Sequence, residues 1–327
     1  MNNELNWAVL GTGVIANEMA NALKRMGGNM YAVANRTHDK AVKFAKKYDV
    51  KVVYDKIDDM FTDDNVDIIY ITTPHNTHYK FMKKALEAGK HIFVEKSITL
   101  NTRELDEMIA LANEKSLVIA EAMTIWHMPI YKRLRKMVSD NKLGKMQIMT
   151  ANFGSFKEYD MSNRFFNMNL AGGALLDIGV YALSAVRSFM NEKPNDIISQ
   201  VKFAETGSDE QVTILLKNDL GQMAAVALSM HSKQPKRITI SFEKGYVEIY
   251  EYPRGQKATI VDAQNGSTEI IEEGNTDNAL YYEMCDMEEA VRTGNSTHME
   301  LEYTRDVMEI MTGLRKKWDM KYPDEQW

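Results

Sequence analysis

Residues 5–121 alternate short apolar runs with amphipathic stretches, and this alternation constrains the fold more than any other feature of the chain. The apolar runs fall at 7–10, 30–34, 66–71, 91–95 and 117–121, with helical patterns at 15–26, 39–47, 79–88 and 102–115 between them. Strands separated by helices pair in parallel through right-handed crossovers, so the pattern predicts a doubly wound parallel sheet with helices on its faces. The punctuation agrees: Gly27 and Gly89 stand where a left-handed helix cap is wanted, and Asn101 with Glu104 has the spacing of a capping box.

After about residue 122 the pattern changes. A helix over 129–139 leads to a strand over 146–153, and a glycine-rich helix is expected over 173–190. Extended runs follow at 197–204, 211–216, 222–230, 237–242, 246–250 and 258–262. The turn dipeptides Asn218-Asp219, Lys244-Gly245 and Asn265-Gly266 punctuate them. Helices over 278–292 and 300–318 close the chain. The 327 residues are enough for two cores. The expected architecture is therefore α/β throughout. A dinucleotide-binding Rossmann domain spans 1–122, and an α/β domain with a large, mostly antiparallel sheet spans 123–327.

The first strand runs into Gly11-Thr12-Gly13-Val14-Ile15-Ala16, a G-x-G-x-x-A pattern that opens a helix. In such a unit the first glycine makes the tight turn, the second lets backbone approach a pyrophosphate, and the small third residue packs helix on strand. Unpaired amides and the positive helix end then favour the phosphates. The strand–turn–helix context makes the glycine pattern specific for a dinucleotide. At the end of the second strand an NAD site usually carries an acid for the ribose 2′-hydroxyl. Here Asn35-Arg36 stands instead, which favours NADP through an Arg36–phosphate pair, with NAD remaining possible.

Ligands of open α/β sheets bind beyond the carboxyl ends of the strands. Two such ends carry chemistry: Thr72-Thr73-Pro74-His75-Asn76, with His75 and Asn76 expected under the dinucleotide, and Glu95-Lys96. A lysine beside an oxidised nicotinamide has its ammonium form disfavoured, which suits proton transfer; a surface Lys–Glu pair fits the same two residues. Farther on, Asp177 and Tyr181 are four apart and share one face of a helix. Gly172, Gly173 and Gly179 around them allow close approach of another backbone or a ligand. A carboxylate and a phenol on a bulk-poor face suit an alcohol substrate, although a tightly packed helix has the same spacing.

Composition closes other routes. A net charge of −6 gives no footprint for nucleic acid. The chain has no uninterrupted apolar run of about 18 residues, so no membrane partner is expected. Met1-Asn2-Asn3-Glu4 lacks a basic region before an apolar run, and Cys285 is the single cysteine, so a cytoplasmic setting is expected. His75, His78, His91, His127 and His231 lack a convincing ligand spacing, and no metal is expected.

Gly11-x-Gly13-x-x-Ala16, Thr73-Pro74, Glu95-Lys96, Glu121-Ala122-Met123 and the run from Gly172 to Tyr181 together resemble the glucose–fructose oxidoreductase / inositol dehydrogenase / rhizopine-catabolism (Gfo/Idh/MocA) family, over essentially the whole chain. The resemblance implies an NADP-dependent or NAD-dependent oxidoreductase acting on a sugar, polyol or cyclic diol. Lys96 would lie beside the nicotinamide and substrate, and Asp177 would position substrate or lysine. Tyr181 stands where many members have histidine. It is similar to the dihydrodiol dehydrogenase, xylose dehydrogenase and glucose–fructose oxidoreductase branch, in which tyrosine is taken as the proton donor or acceptor. The resemblance also implies a homodimer or homotetramer built through the C-terminal sheet. Ser97 departs from the family's Glu-Lys-Pro, and Thr124-Ile125-Trp126-His127 shifts an aromatic and loses an arginine that relatives carry near the sugar. A coenzyme-sensing regulatory protein of the same fold is the competing function.

Overall fold

The computed structural model describes residues 4–323 and 325–327. Contacts divide the chain into two units. The first takes the residues up to Met123 together with Leu280–Leu301; the second takes Thr124–Ala279 and Glu302–Trp327.

The first unit runs β1 (Asn6–Leu10), α1 (Val14–Met26), β2 (Asn29–Ala34), α2 (His38–Tyr48), β3 (Val52–Val53), α3 (Ile57–Thr62), β4 (Ile68–Ile71), α4 (His78–Glu87), β5 (His91–Glu95), α5 (Thr102–Glu114) and β6 (Ile119–Ala122). Its sheet has the order β3-β2-β1-β4-β5-β6 and is parallel throughout. Trp7 to Leu10 are wholly buried, as a strand covered on both faces requires. Leu10 pairs with Ala34 on one side and Ile71 on the other, so three strands end level where the strand order reverses. A crevice for ligand opens at such a switch point.

The helices form where the periodicity placed them. α1 buries Ala16, Met19, Ala20 and Leu23, the i, i+3, i+4, i+7 stripe of a helix packed on a sheet. It stops at Gly27 (φ 70°), where the amides of Gly27 and Gly28 reach the carbonyls of Lys24 and Leu23. Asn101 caps α5 by accepting from the Glu104 amide at 2.9 Å. Glu104 reaches back to the Leu100 amide (3.1 Å). α3 and β3, of six and two residues, were too short to leave a period.

The second unit begins with α6 (Thr124–His127) and α7 (Pro129–Ser139), whose proline sits at the start, where no amide is needed. After β7 (Met146–Gly154), the expected helix over 173–190 is a composite: a π-turn (Leu175–Gly179) running into α8 (Val180–Arg187). Then come β8 (Asp196–Phe203), β9 (Asp209–Lys217), β10 (Met223–Ser229), β11 (Gln234–Phe242), β12 (Gly245–Tyr250), β13 (Lys257–Asp262) and β14 (Thr268–Glu272). The eight strands are ordered β14-β13-β12-β11-β7-β10-β9-β8, antiparallel except for β7 with β10. The edge strand β14 escaped the sequence because Thr268-Glu269-Ile270-Ile271-Glu272 buries only Ile271. Within Met168–Arg187 an 18-residue window is apolar enough by composition to cross a membrane (mean hydropathy 1.4), but 78% of that window is buried in the fold.

One face of this sheet is core and the other is open. Register aligns Ile198, Leu215, Ala225 and Thr150 in one row of the open face. Met223, Ile148, Ser241 and Tyr246 make the next. Ile198, Leu215, Met223, Ile148 and Tyr246 are all exposed there.

Two helices end the chain, α9 (Ala279–Thr293) and α10 (Leu301–Lys317). The expected division into 1–122 and 123–327 needs correction here, because Leu280–Leu301 clusters with the first unit. The physical reason is a buried polar bond: the indole N–H of Trp7, on β1, donates to Glu288 on α9 at 2.9 Å. Trp7 is fully buried, stacked edge-on against Phe93 at 6.0 Å, and its N–H has no water to turn to. Trp7→Phe removes the donor to Glu288 Oε1, leaving that carboxylate with its Arg292 partner at 2.8 Å, and opens a small void. It is expected to lower unfolding stability by roughly 2 kcal/mol. Urea unfolding followed by the first unit's far-UV signal measures this; an unchanged midpoint would remove Trp7–Glu288 as the reason α9 joins that unit.

Candidate active site

The residues expected to carry chemistry fall into two sets, one in each unit. In the first, the chain leaves β1 at Gly11 with φ 110°, a conformation that L side chains avoid. A Cβ at Gly11 would run into the Thr72 hydroxyl and backbone, so the turn closes only with glycine. Gly13 is exposed and nothing lies within 4 Å of where its Cβ would be. It caps α1 without any side-chain bond, and no acid stands in the first turn. The result is an open, uncapped helix start with its amides available to an anion. Thr12 and Ile15 flank it half-buried, Val14 is left 79% exposed, and Ala16 is buried against the sheet.

Beyond β2, Asn35 donates to the Thr37 carbonyl (3.0 Å), and Arg36 is exposed, with no ion pair among the described residues. Beyond β4, Thr72 and Thr73 are half-buried, and Pro74 and Asn76 are exposed. His75 donates to the Lys96 carbonyl at 2.9 Å. His78, the first residue of α4, is fully buried with its ring nitrogens 2.8 Å from the Thr73 carbonyl and 3.0 Å from that of Ser97. Burial holds its pKa below the ordinary histidine value, with the backbone contacts opposing. This histidine thus staples two loops that the sequence analysis treated separately.

Lys96 and Glu95 are half-buried at the end of β5, and the Lys96–Ser97 peptide is cis. Glu95 accepts from the Tyr70 hydroxyl. Glu121, 1% exposed, accepts from the Ile98 amide at 3.1 Å, bracing the same loop from β6. All of the expected coenzyme residues from Gly11 to Lys96 therefore lie in the first unit, at or just beyond the carboxyl ends of β1, β2, β4 and β5.

In the second unit, the run from Ala171 to Met190 is buried at every position except Asp177 and Tyr181. The two partly accessible residues in this run of twenty are the two singled out for chemistry. They do not sit on a regular α-helix as expected. Leu175–Gly179 is wound as a π-turn, with the Val180 amide bonded to the Leu175 carbonyl. Single π-turns within helices occur frequently at functional sites. Arg164 approaches Asp177 at 3.7 Å. The Tyr181 ring lies 6.1 Å from that of Phe153. The three glycines admit protein rather than ligand: Gly172 lies against the Arg164–Asn167 backbone, Gly173 against Asp209, and Gly179 against Leu228.

Arg164 and Asp209 were missed by the sequence reading. Each acts through a loop path or a cross-chain contact that no local spacing encodes. Trp126 and His127, which stand where relatives carry sugar-side residues, are buried, and Trp126 packs beside Tyr303 at 5.7 Å. One His–carboxylate group, Asp286, Glu289 and His298, was not anticipated: their ligand atoms lie within 4.8 Å of one another. His298 Nε2 already engages the Asp286 carbonyl at 2.9 Å.

A family model for oxidoreductases with an NAD-binding Rossmann fold matches residues 5–123, and the Gfo/Idh/MocA C-terminal domain matches residues 131–248. The chain is 30% identical to trans-1,2-dihydrobenzene-1,2-diol dehydrogenase of Sus scrofa over 251 residues, covering 76% of this chain and 74% of that protein. It is 27% identical to the Homo sapiens enzyme of the same name over 333 residues, covering 98% and 99%. Among solved structures, the 3-ketoreductase KijD10 of Actinomadura kijaniata, in complex with NADP and TDP-benzene, matches with a TM-score of 0.86 at 20% identity, over 96% of this chain and 98% of that one. UDP-N-acetylglucosamine 3-dehydrogenase GnnA of Acidithiobacillus ferrooxidans matches at 0.83 and 20%, over 96% and 97%. At such identity these two likenesses speak to the fold. With both domains of the family model matched in order, this chain belongs to the Gfo/Idh/MocA family of NAD(P)-dependent oxidoreductases.

Proposed function

We propose that this oxidoreductase moves hydride between NADP(H) and a CH–OH or C=O carbon of a sugar, polyol or cyclic diol. The observation that carries the reading is that Asp177 and Tyr181 alone stay partly accessible in an otherwise buried run of twenty residues. Burying a carboxylate and a phenol costs free energy that hydrogen bonding must offset, so a fold opens these two positions for a polar partner. The names of the relatives support the substrate class: a cyclic diol for the curated ones, and UDP-N-acetylglucosamine for one solved neighbour.

The residues of the first unit suit the coenzyme. The uncapped start of α1 and the bare Gly13 would take the pyrophosphate, and the exposed Arg36 a 2′-phosphate. When bound, the coenzyme supplies or accepts the hydride. The chain's own groups handle the proton and the geometry. Tyr181 gives or takes the proton at the substrate oxygen. Lys96 assists the proton transfer. Asp177, held by Arg164, accepts from a neighbouring substrate hydroxyl and fixes its orientation.

The open face of the eight-stranded sheet supports a further part of this reading. Flat rows of Ile198, Leu215, Met223, Ile148 and Tyr246 suit a second copy of the chain, giving a homodimer or homotetramer.

Three measurements test these statements. Lys96→Met and Tyr181→Phe are each expected to lower kcat by about 10²–10⁴-fold on a sugar and diol panel while NADPH binding stays normal; wild-type kcat in both variants would refute the chemistry. Arg36→Ala should weaken NADPH binding by about ten- to a hundredfold and leave NADH nearly unchanged. Equal losses for both coenzymes would return the preference to NAD. Leu215→Lys combined with Ile148→Lys should shift sedimentation to the monomer, and an unaltered oligomer would place the interface elsewhere.

A further inference from the structure

The π-turn that carries Asp177 is gripped from beneath. Gly173 turns with φ 135°, and a Cβ there would collide with Oδ1 of Asp209, at the head of β9. Asp209 is fully buried and its Oδ2 accepts from the Leu175 amide, the first residue of the turn, at 2.6 Å. Its Oδ1 meets no hydrogen-bond partner among the described residues. On the other side of Gly173, the Tyr322 hydroxyl donates to the Gly172 carbonyl at 2.9 Å. Tyr322 is itself fixed: its amide donates to Glu325 at 3.1 Å, and Glu325 takes a bidentate bond from the buried Arg315 at 2.7 and 2.8 Å. Two anchors distant in the chain thus hold the two residues on either side of Gly173–Ala174.

We propose that Asp209 and Tyr322 are positioning residues for Asp177 and Tyr181, setting the π-turn through the Leu175 amide and the Gly172 carbonyl. The inference rests on the reading that Asp177 and Tyr181 serve the reaction. Neither anchor touches solvent, so neither has a surface role to explain it. A carboxyl is costly to bury and calls for a reason. Here the turn's first amide needs an acceptor, and Oδ2 supplies it. An α-wound turn would move Leu175 and the two residues behind it, and Oδ2 would lose its donor.

The electrostatics around the anchor are consistent with this. Burial pushes the Asp209 carboxyl up to about 7, against the amides of Leu175, Asp209 and Ala174 and the Arg315 guanidinium. Burial, with the nearby Asp209, Glu325 and Asp177 carboxyls, likewise keeps the Tyr322 phenol protonated, so that it serves as a donor. A carboxyl raised from 3.8 holds a proton in the fold that the unfolded chain releases. Stability therefore declines as pH rises from about 4 to about 7, and Asp209→Asn should abolish that decline.

The test compares Asp209→Ala, Asp209→Asn and Tyr322→Phe in the full-length protein. Asp209→Ala should raise amide hydrogen exchange in the peptides over residues 172–181 and leave the first unit unchanged. It should also lower kcat at least tenfold with little change in KM or in NADPH affinity. Asp209→Asn, which keeps an acceptor for the Leu175 amide, should recover most of kcat. Tyr322→Phe should show a milder form of the same pair of effects, and it decides the matter if Asp209→Ala fails to fold. Unchanged exchange over 172–181, or faster exchange with wild-type kcat, overturns the proposal. So does failure of Asp209→Asn to recover the rate. A wild-type protein that turns over no sugar or diol defeats the functional reading instead, and the exchange measurement still decides whether the anchors hold the turn.

Discussion

The backbone of Gly11 passes so close to Thr72 that no side chain fits between them, and this one approach sets what the first unit can do. It brings the ends of β1 and β4 level, at the place where the strand order turns. The start of α1 then faces the crevice with its amides unspent, because Gly13 offers no side chain to cap them. Parallel pairing, the tight turn and the bare helix end are mutually dependent. A Cβ at Gly11 pushes the strands apart, and the helix start moves with them.

Much of this was legible in the residues because each signal is local. A continuous apolar run marks a strand buried on both faces, and a glycine after a strand marks a turn. Asn101, Gly27 and Pro129 mark helix ends through their own hydrogen bonds or missing amide. The parallel sheet and the broad antiparallel one followed from such marks. The π-turn was invisible, since its winding is dictated by Asp209 and Tyr322, one 34 residues from Leu175 in sequence and the other bonded to Gly172 from 150 residues away. The place of α9 was invisible for the same reason: Trp7 and Glu288 lie 281 residues apart. Arg164 beside Asp177 and His78 between Thr73 and Ser97 likewise depend on where loops return.

The two sets of candidate residues are built in opposite ways. The first works by omission: an uncapped helix, a missing Cβ, an arginine left in solvent. The second works by enclosure. Eighteen of the twenty residues from Ala171 to Met190 are sealed in the core, and only Asp177 and Tyr181 are let out. Dihedral freedom is low there, which suits groups that must meet a substrate oxygen within a fraction of an ångström.

The first unit is discontinuous in sequence, and this has a practical meaning for anyone who recombines such enzymes. The chain passes between the units near residues 123, 279 and 301, so a single splice cannot exchange one half for that of a relative. A graft of residues 1–123 imports the tryptophan of β1 without its carboxylate acceptor, and the recipient must already carry an acid at the position of Glu288. Chimeras of this architecture are limited by one buried indole before any question of substrate arises.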